Sequence, residues 1–258
     1  MKKFCIVHYV VISGLLFNCT GKKEDSRDHV QQDIQSTSNS NYAAFRASEG
    51  IEIDGLAKEA SWSSALWYPI DQNWVGPNYS PDDFSGRFKM TWDDNYLYVL
   101  AEIIDDTLID IHEDPKEFYW DDDCLEIFVD EDASGGDHQY NHNAFAYHIG
   151  LDYTVADIDV DKTPVILTDH ITTKRTYDGK SYTWEVAMQI YDDSFDSKID
   201  NQPVLLTEEK VMGFAIAYCD NDNSQERENF IGSEMVEGED KNRGWIDAGI
   251  FGKVKLIQ

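Results

Sequence analysis

The stretch Tyr119-Trp120-Asp121-Asp122-Asp123-Cys124-Leu125-Glu126 sets an indole and four carboxylates at the entrance to an apolar run, Ile127-Phe128-Val129. A second tryptophan, Trp245, stands in Asn242-Arg243-Gly244-Trp245-Ile246-Asp247, just before the last apolar segment. Large apolar side chains seek burial, so tryptophans in polar surroundings need a partner. Each could be a lid over the core. A flat indole beside fixed carboxylates also suits a sugar, which has an apolar C–H face and a rim of hydroxyls. Two other chemistries compete for the same acids. A glycosidic bond could be split by Asp122 or Asp123 with Glu126, if the carboxyls faced each other about 5–10 Å apart with separated pKa values. Acids spaced along one strand do not supply that geometry by themselves. Calcium wants several hard oxygens from loops, and Asp130-Glu131-Asp132 with Asp137, the Asp157/Asp159/Asp161 alternation and Asp220-Asn221-Asp222-Asn223 offer them. None has EF-hand spacing, and each also reads as a solvated acidic turn. His138 and His142 could ligate zinc, although histidines in a polar loop are more often solvated.

The elements that must position these residues read as strands. Alternating hydrophobicity predicts them over residues 86–92, 96–104, 124–130, 144–149, 182–190, 212–218 and 252–257, with no long amphipathic helix. Many short strands separated by polar turns indicate an all-β sandwich rather than βαβ units. Period-two parity puts Leu125, Ile127 and Val129 on one face and Cys124, Glu126 and Phe128 on the other. Glu126 therefore points away from the aliphatic set. Trp62, Trp92 and Trp184 read as core, whereas Trp67 and Trp74 could extend a ligand surface.

The chain has 258 residues and a formal charge of −29. Met1-Lys2-Lys3 followed by an apolar run from Phe4 to Phe17 fits a signal peptide and is short for a membrane span. Leu16-Phe17-Asn18-Cys19 resembles a bacterial lipobox, with Cys19 as the acylated residue, and Thr20 to Asp25 resembles the export signals of surface lipoproteins. The expected organisation is a lipoprotein signal peptide over 1–18, a flexible polar tether over 19–47 and one β-sandwich domain over 48–258. The expected location is the outer membrane, at the cell surface, with the periplasm or secretion as alternatives. Membrane contact would come through the lipid anchor alone. Removing Lys2 and Lys3 takes the charge from −29 to −31, a field that repels nucleic acid and anionic membranes. Cys124 and Cys219 are expected as buried thiols, with a disulfide as the lesser reading.

Order and spacing together resemble the family 9 carbohydrate-binding modules, known as appendages of secreted xylanases. Ile53-Asp54-Gly55 followed by Ala60-Ser61-Trp62 resembles the family's opening. Thr91-Trp92-Asp93-Asp94-Asn95-Tyr96-Leu97-Tyr98-Val99 resembles its most recognisable hairpin, with Asp105-Asp106 at the strand's end. The spacings from Trp120 to Glu126 and from Trp245 to Phe251-Gly252 also match. The resemblance implies an antiparallel β-sandwich of jelly-roll type that holds a sugar in a slot between two indoles without catalysis. Its ligands would be xylan or glucan oligosaccharides or simple sugars, bound by a monomer that supports polysaccharide capture. By position Trp120 and Trp245 would wall the slot, Glu126 would accept hydroxyls and Asn242 would border it. Calcium is implied as a structural ion, with Asp130 and Asp132 as candidate ligands. The family's ligand-binding arginine falls on Ala146, a loss that His142, His148 or Arg243 could compensate. The segment 221–241 exceeds the pattern in length and carries Arg227. A hydrolytic domain, or an assembly module that has lost its sugar, are the alternatives.

Overall fold

The structure is a computed structural model and describes residues 41–258. One mixed sheet curls until its two halves face each other. The first half runs β10 (Ile171–Tyr177), β11 (Tyr182–Met188), β5 (Leu97–Asp105) and β4 (Phe84–Trp92), with β2 (Tyr68–Ile70) beside β4. The second runs β14 (Gly252–Ile257), β12 (Val211–Asp220), β6 (Cys124–Asp130), β7 (Phe145–Gly150), β8 (Val155–Ile158) and β9 (Pro164–Ile166). A short strand β13 (Asn229–Gly232) pairs with β12 and with β3 (Gln72–Val75). The fold is the expected all-β sandwich.

Alternation decides which side chains fill the space between the halves. Leu97, Val99, Ala101 and Ile103 of β5 meet Leu125, Ile127 and Val129 of β6 and Phe145, Tyr147 and Ile149 of β7 in the main core. Trp92 and Trp184 are fully buried there. The opposite parity of β5 packs Tyr98 and Leu100 against Trp62, which lies in the single-turn helix α1 (Ala60–Ser64). The buried Glu185 carboxylate holds this opening segment down. It accepts from Trp62 Nε1 at 2.9 Å, Gly55 N at 2.9 Å and Asp54 N at 3.1 Å.

The expected domain boundary needs correction. Residues assigned to the tether form β1 (Asn41–Arg46), which closes the sheet by pairing parallel with both β14 and β4. Tyr42, Ala43 and Ala44 are buried, so the folded unit begins before residue 48. The signal peptide, Cys19 and the rest of the tether lie outside the described residues.

Candidate functional site

The outer face of the second half carries a concave floor, set by strand register. Cross-strand partners Ala156, His148, Glu126, Ala217 and Gly232 form one row over β8, β7, β6, β12 and β13. Ala146, Phe128 and Ala215 form an adjacent row. Small residues flank the polar His148–Glu126 pair, and the face is hollow for that reason. Trp74 seals one end by lying over Gly232, where an added Cβ would sit 2.1 Å from the indole. Buried against Phe128 and Phe230 and donating from Nε1 to the Glu234 carbonyl at 2.7 Å, Trp74 supports the floor and is not an extended ligand surface. Gly232→Ala is expected to destabilise the protein by about 1–3 kcal/mol through overpacking. Thermal unfolding measures this, and the loss should shrink in a Trp74→Leu background, which removes the clash.

Two loops raise walls on this floor to make a cleft of about 350 Å³. Trp120, Glu126, Asn242 and Trp245 all line it, with Tyr119 and Tyr140 beside the tryptophans. Trp120 is 38% exposed and Glu126 only 2%. The wall bearing Trp245 is a 3-10 turn, Arg243–Trp245, resting on the floor through Gly244. A Cβ there would meet Phe128 at 2.9 Å. His138 fastens the same turn. Burial lowers its pKa, and its Nε2 lies 2.6 Å from the Gly244 carbonyl, which a neutral ring can serve as donor. The wall bearing Trp120 is folded by the acidic run itself. Asp122 accepts from Ile111 N and His112 N, both at 3.0 Å, and Asp123 accepts from Asn221 N at 2.8 Å. Asp121 accepts from Arg227 N at 3.3 Å. These three carboxylates therefore serve the loop backbone, and Glu126 is left as the run's contribution to the cleft.

Both nitrogens of His148 face acceptors, the Ala146 carbonyl at 3.0 Å and Glu126 Oε2 at 3.2 Å, and an imidazolium satisfies both. Burial pushes the His148 pKa down, but the Glu126 charge and hydrogen bond outweigh it and the net shift is upward. Burial likewise pushes Asp157 up to about 7, against hydrogen bonds from Ala146 N and Ile158 N and the nearby His148 charge. For both groups the raised folded pKa gives stability that is present below the unfolded value and lost as pH rises through the folded one. Between about pH 4 and pH 8, Asp157→Asn should therefore lose less stability than the unaltered protein, by an amount on the order of a few kcal/mol. Denaturant unfolding across that range, in excess calcium, checks the difference.

With alanine at position 146, an arginine reaches the cleft from another loop. Arg227 enters the cleft with its guanidinium carbon 4.1 Å above the Phe230 ring, donating to Asn242 Oδ1 and approaching Cys219 Sγ, both at 3.0 Å. Sequence reasoning weighed His148, which lines the cleft, and His142 and Arg243, which do not. His142 is buried beside Phe195 and Asp159, and Arg243 donates to the carbonyls of Glu237 and Asp240. The unusual length of the 221–241 segment was the usable signal for Arg227. Cys124 and Cys219 are buried free thiols, directly paired across β6 and β12.

Of the acids expected to hold calcium, Asp130 and Asp132 lie in a turn and accept its backbone hydrogen bonds. Asp130 accepts from Asp132 N and Gly135 N, and Asp132 from Ser134 N. Among the described residues no third His, Cys, Asp or Glu side chain forms a close triad with this pair. Convergence occurs at another of the candidate runs, Asp220-Asn221-Asp222-Asn223, where β5 and β12 end. Asp83, Asp105, Asp106, Asp220, Asp222 and Glu228 form three overlapping triads whose oxygens lie within 4.8 Å of one another. That limit is about twice a calcium–oxygen distance. Asp220 is 1% exposed, its Oδ2 has no partner, and Asp222 Oδ1 is likewise buried and unpaired. A hard-oxygen set with orphaned buried acceptors fits calcium.

A β-sandwich with an aromatic and carboxylate cleft outside its core has the form of a small binding module. The family model described as "Carbohydrate family 9 binding domain-like" matches residues 53–258, and the chain belongs to that family. A family 9 carbohydrate-binding module from Caldicellulosiruptor kristjanssonii, solved with cellotriose, superposes with a TM-score of 0.58 at 20% identity, covering 84% of this chain and 93% of that one. A module from the same organism, solved with glucose, gives 0.57 at 21% identity over 83% and 95%. A putative carbohydrate-binding protein from Bacteroides uniformis gives 0.58 at 10% identity over 85% and 100%. No curated protein matches the chain.

Proposed function

We propose that the chain is a non-catalytic binder of glucan or xylan oligosaccharides, taking a sugar or chain end between Trp120 and Trp245. The observation that carries this reading is the convergence in one cleft of two tryptophans from distant loops with Glu126, His148, Arg227 and Asn242. The indoles offer apolar faces to the sugar's C–H surface. Glu126, held by His148, accepts hydroxyl protons, and Arg227 donates charge-assisted hydrogen bonds. Because both loops are fastened by backbone hydrogen bonds, little ordering accompanies binding. Through Cys19 the module would be lipid-anchored at the outer membrane, holding polysaccharide near the cell surface for partner hydrolases.

Asp122 and Asp123, the acids considered for hydrolysis with Glu126, bond to loop backbone, and Glu126 is held by His148. This arrangement supports binding over turnover. In calorimetric titrations Glu126→Gln is expected to weaken oligosaccharide affinity about tenfold or more, the cost of a charge-assisted hydrogen bond. Unchanged affinity would remove Glu126 from the site. Reducing ends released from xylan by the unaltered protein, and absent with Glu126→Gln, would make it an enzyme.

A further inference from the structure

The six-carboxylate cluster joins the two loops that build the cleft. Asp105 and Asp106 end β5 and begin the loop that carries Trp120. Asp220 ends β12, Asp222 lies in the following loop, and Glu228 closes it immediately after Arg227. Other ties cross between these loops, from Asn221 Nδ2 to the Asp121 carbonyl at 2.7 Å and from Asn221 N to Asp123 at 2.8 Å. Arg175 is close enough to act on Asp105 electrostatically, and Tyr218 donates its hydroxyl to Asp105 at 2.7 Å. Neither reaches the orphaned Asp220 Oδ2. Without a cation, carboxylates gathered in threes within 4.8 Å repel one another and push the loop ends apart.

We infer that calcium held in the overlapping triads of Asp83, Asp105, Asp106, Asp220, Asp222 and Glu228 clamps the 221–228 loop to the Trp120 loop and so sets Arg227 in the cleft, coupling calcium to sugar affinity. The coupling rests on the proposed sugar site. Its route is short, because the ligand Glu228 neighbours Arg227 and the ligand Asp222 neighbours Asn221. A cation that fixes the loop holds the guanidinium above Phe230 before the sugar arrives, which removes an ordering cost from binding. Linkage then requires the sugar to tighten calcium by the same factor.

The test combines calcium titration, amide hydrogen exchange and sugar titration on the full protein. Calcium added after chelation should give a saturable heat, raise the unfolding temperature by about 5 °C or more, and slow exchange at the amides of Asn221 to Arg227. Asp222→Asn, at a half-buried position, should lose the heat and the protection while still folding. Cello-oligosaccharide affinity should fall about tenfold in chelator, the worth of one charged donor. Arg227→Ala should show that lower affinity with or without calcium while keeping the calcium heat. Absence of calcium binding, or calcium binding with no change in exchange at residues 221–227, overturns the inference whatever the sugar result. Calcium-dependent protection with equal sugar affinity in chelator overturns the coupling. If no sugar binds in calcium but the protection appears, it is the sugar reading that fails and the clamp that stands.

Discussion

Trp120→Ala is expected to reduce oligosaccharide affinity by about 30- to 150-fold while leaving the protein folded. An indole that stacks on a sugar contributes roughly what burying a large apolar side chain does, about 2–3 kcal/mol. Trp120 is 38% exposed and touches Tyr119 and Phe118 edge-on, with ring centroids 5.0 and 6.0 Å away. Its removal should therefore shift the unfolding temperature by no more than about 2 °C. Trp245→Ala should weaken binding similarly but cost more stability, because Trp245 packs against the apolar cluster under the cleft. Calorimetry paired with thermal unfolding separates the two effects. Retained affinity in folded Trp120→Ala would mean that the indole is a lid and that the sugar, if bound, sits elsewhere.

The second large effect concerns β1. A protein begun at Ser48 should be unfolded or aggregated under conditions in which one begun at Thr20 unfolds cooperatively. Removing β1 takes a strand from the middle of the sheet, bares the facing edges of β4 and β14, and strips the core of Tyr42. Tyr42 packs edge-on to Tyr68, Phe88 and Phe214 with centroids 4.9–5.9 Å apart, and Ala43 N donates to the Tyr68 hydroxyl at 2.9 Å. Such a loss rivals the ~5–15 kcal/mol that holds a domain folded, and two bare edges invite aggregation. Circular dichroism and size-exclusion chromatography of the two proteins check it. A monomeric, cooperatively folding chain from Ser48 would show that β1 is dispensable.

These two cases mark where the sequence was legible. Trp120, Glu126 and Trp245 stand in strongly patterned surroundings, and the alternation around Glu126 sufficed to put it on the face opposite Leu125, Ile127 and Val129. β6 and β14 were predicted to the residue because apolar parity and turn chemistry coincide at both ends. β1 was hidden because Asn41-Tyr42-Ala43-Ala44-Phe45-Arg46 follows a long polar stretch, and two alanines carry little hydrophobic signal. They are buried because the sheet closes tightly there. Arg227 was hidden, and Asp220 and Asp222 stood as one calcium candidate among several acidic runs, for a different reason. Each depends on residues brought together by strand pairing between distant segments, Asp83 with Asp220 or Arg227 with Asn242. An acidic run also reads the same whether its carboxylates hold a metal, as proposed for Asp220 and Asp222, or backbone, as at Asp121 to Asp123. Partners in space decide between them, and spacing along the chain does not give those partners.

Sugar binding itself is tested most directly by calorimetric titration of the calcium-loaded protein with cello- and xylo-oligosaccharides and with the same sugars after reduction of their ends. Saturable heat with one of these series is expected, lost in Trp120→Ala and diminished by end reduction if a chain end is what the cleft holds. No heat with any of these sugars, from a folded protein that binds calcium, would contradict the carbohydrate reading and leave a sandwich that serves assembly instead.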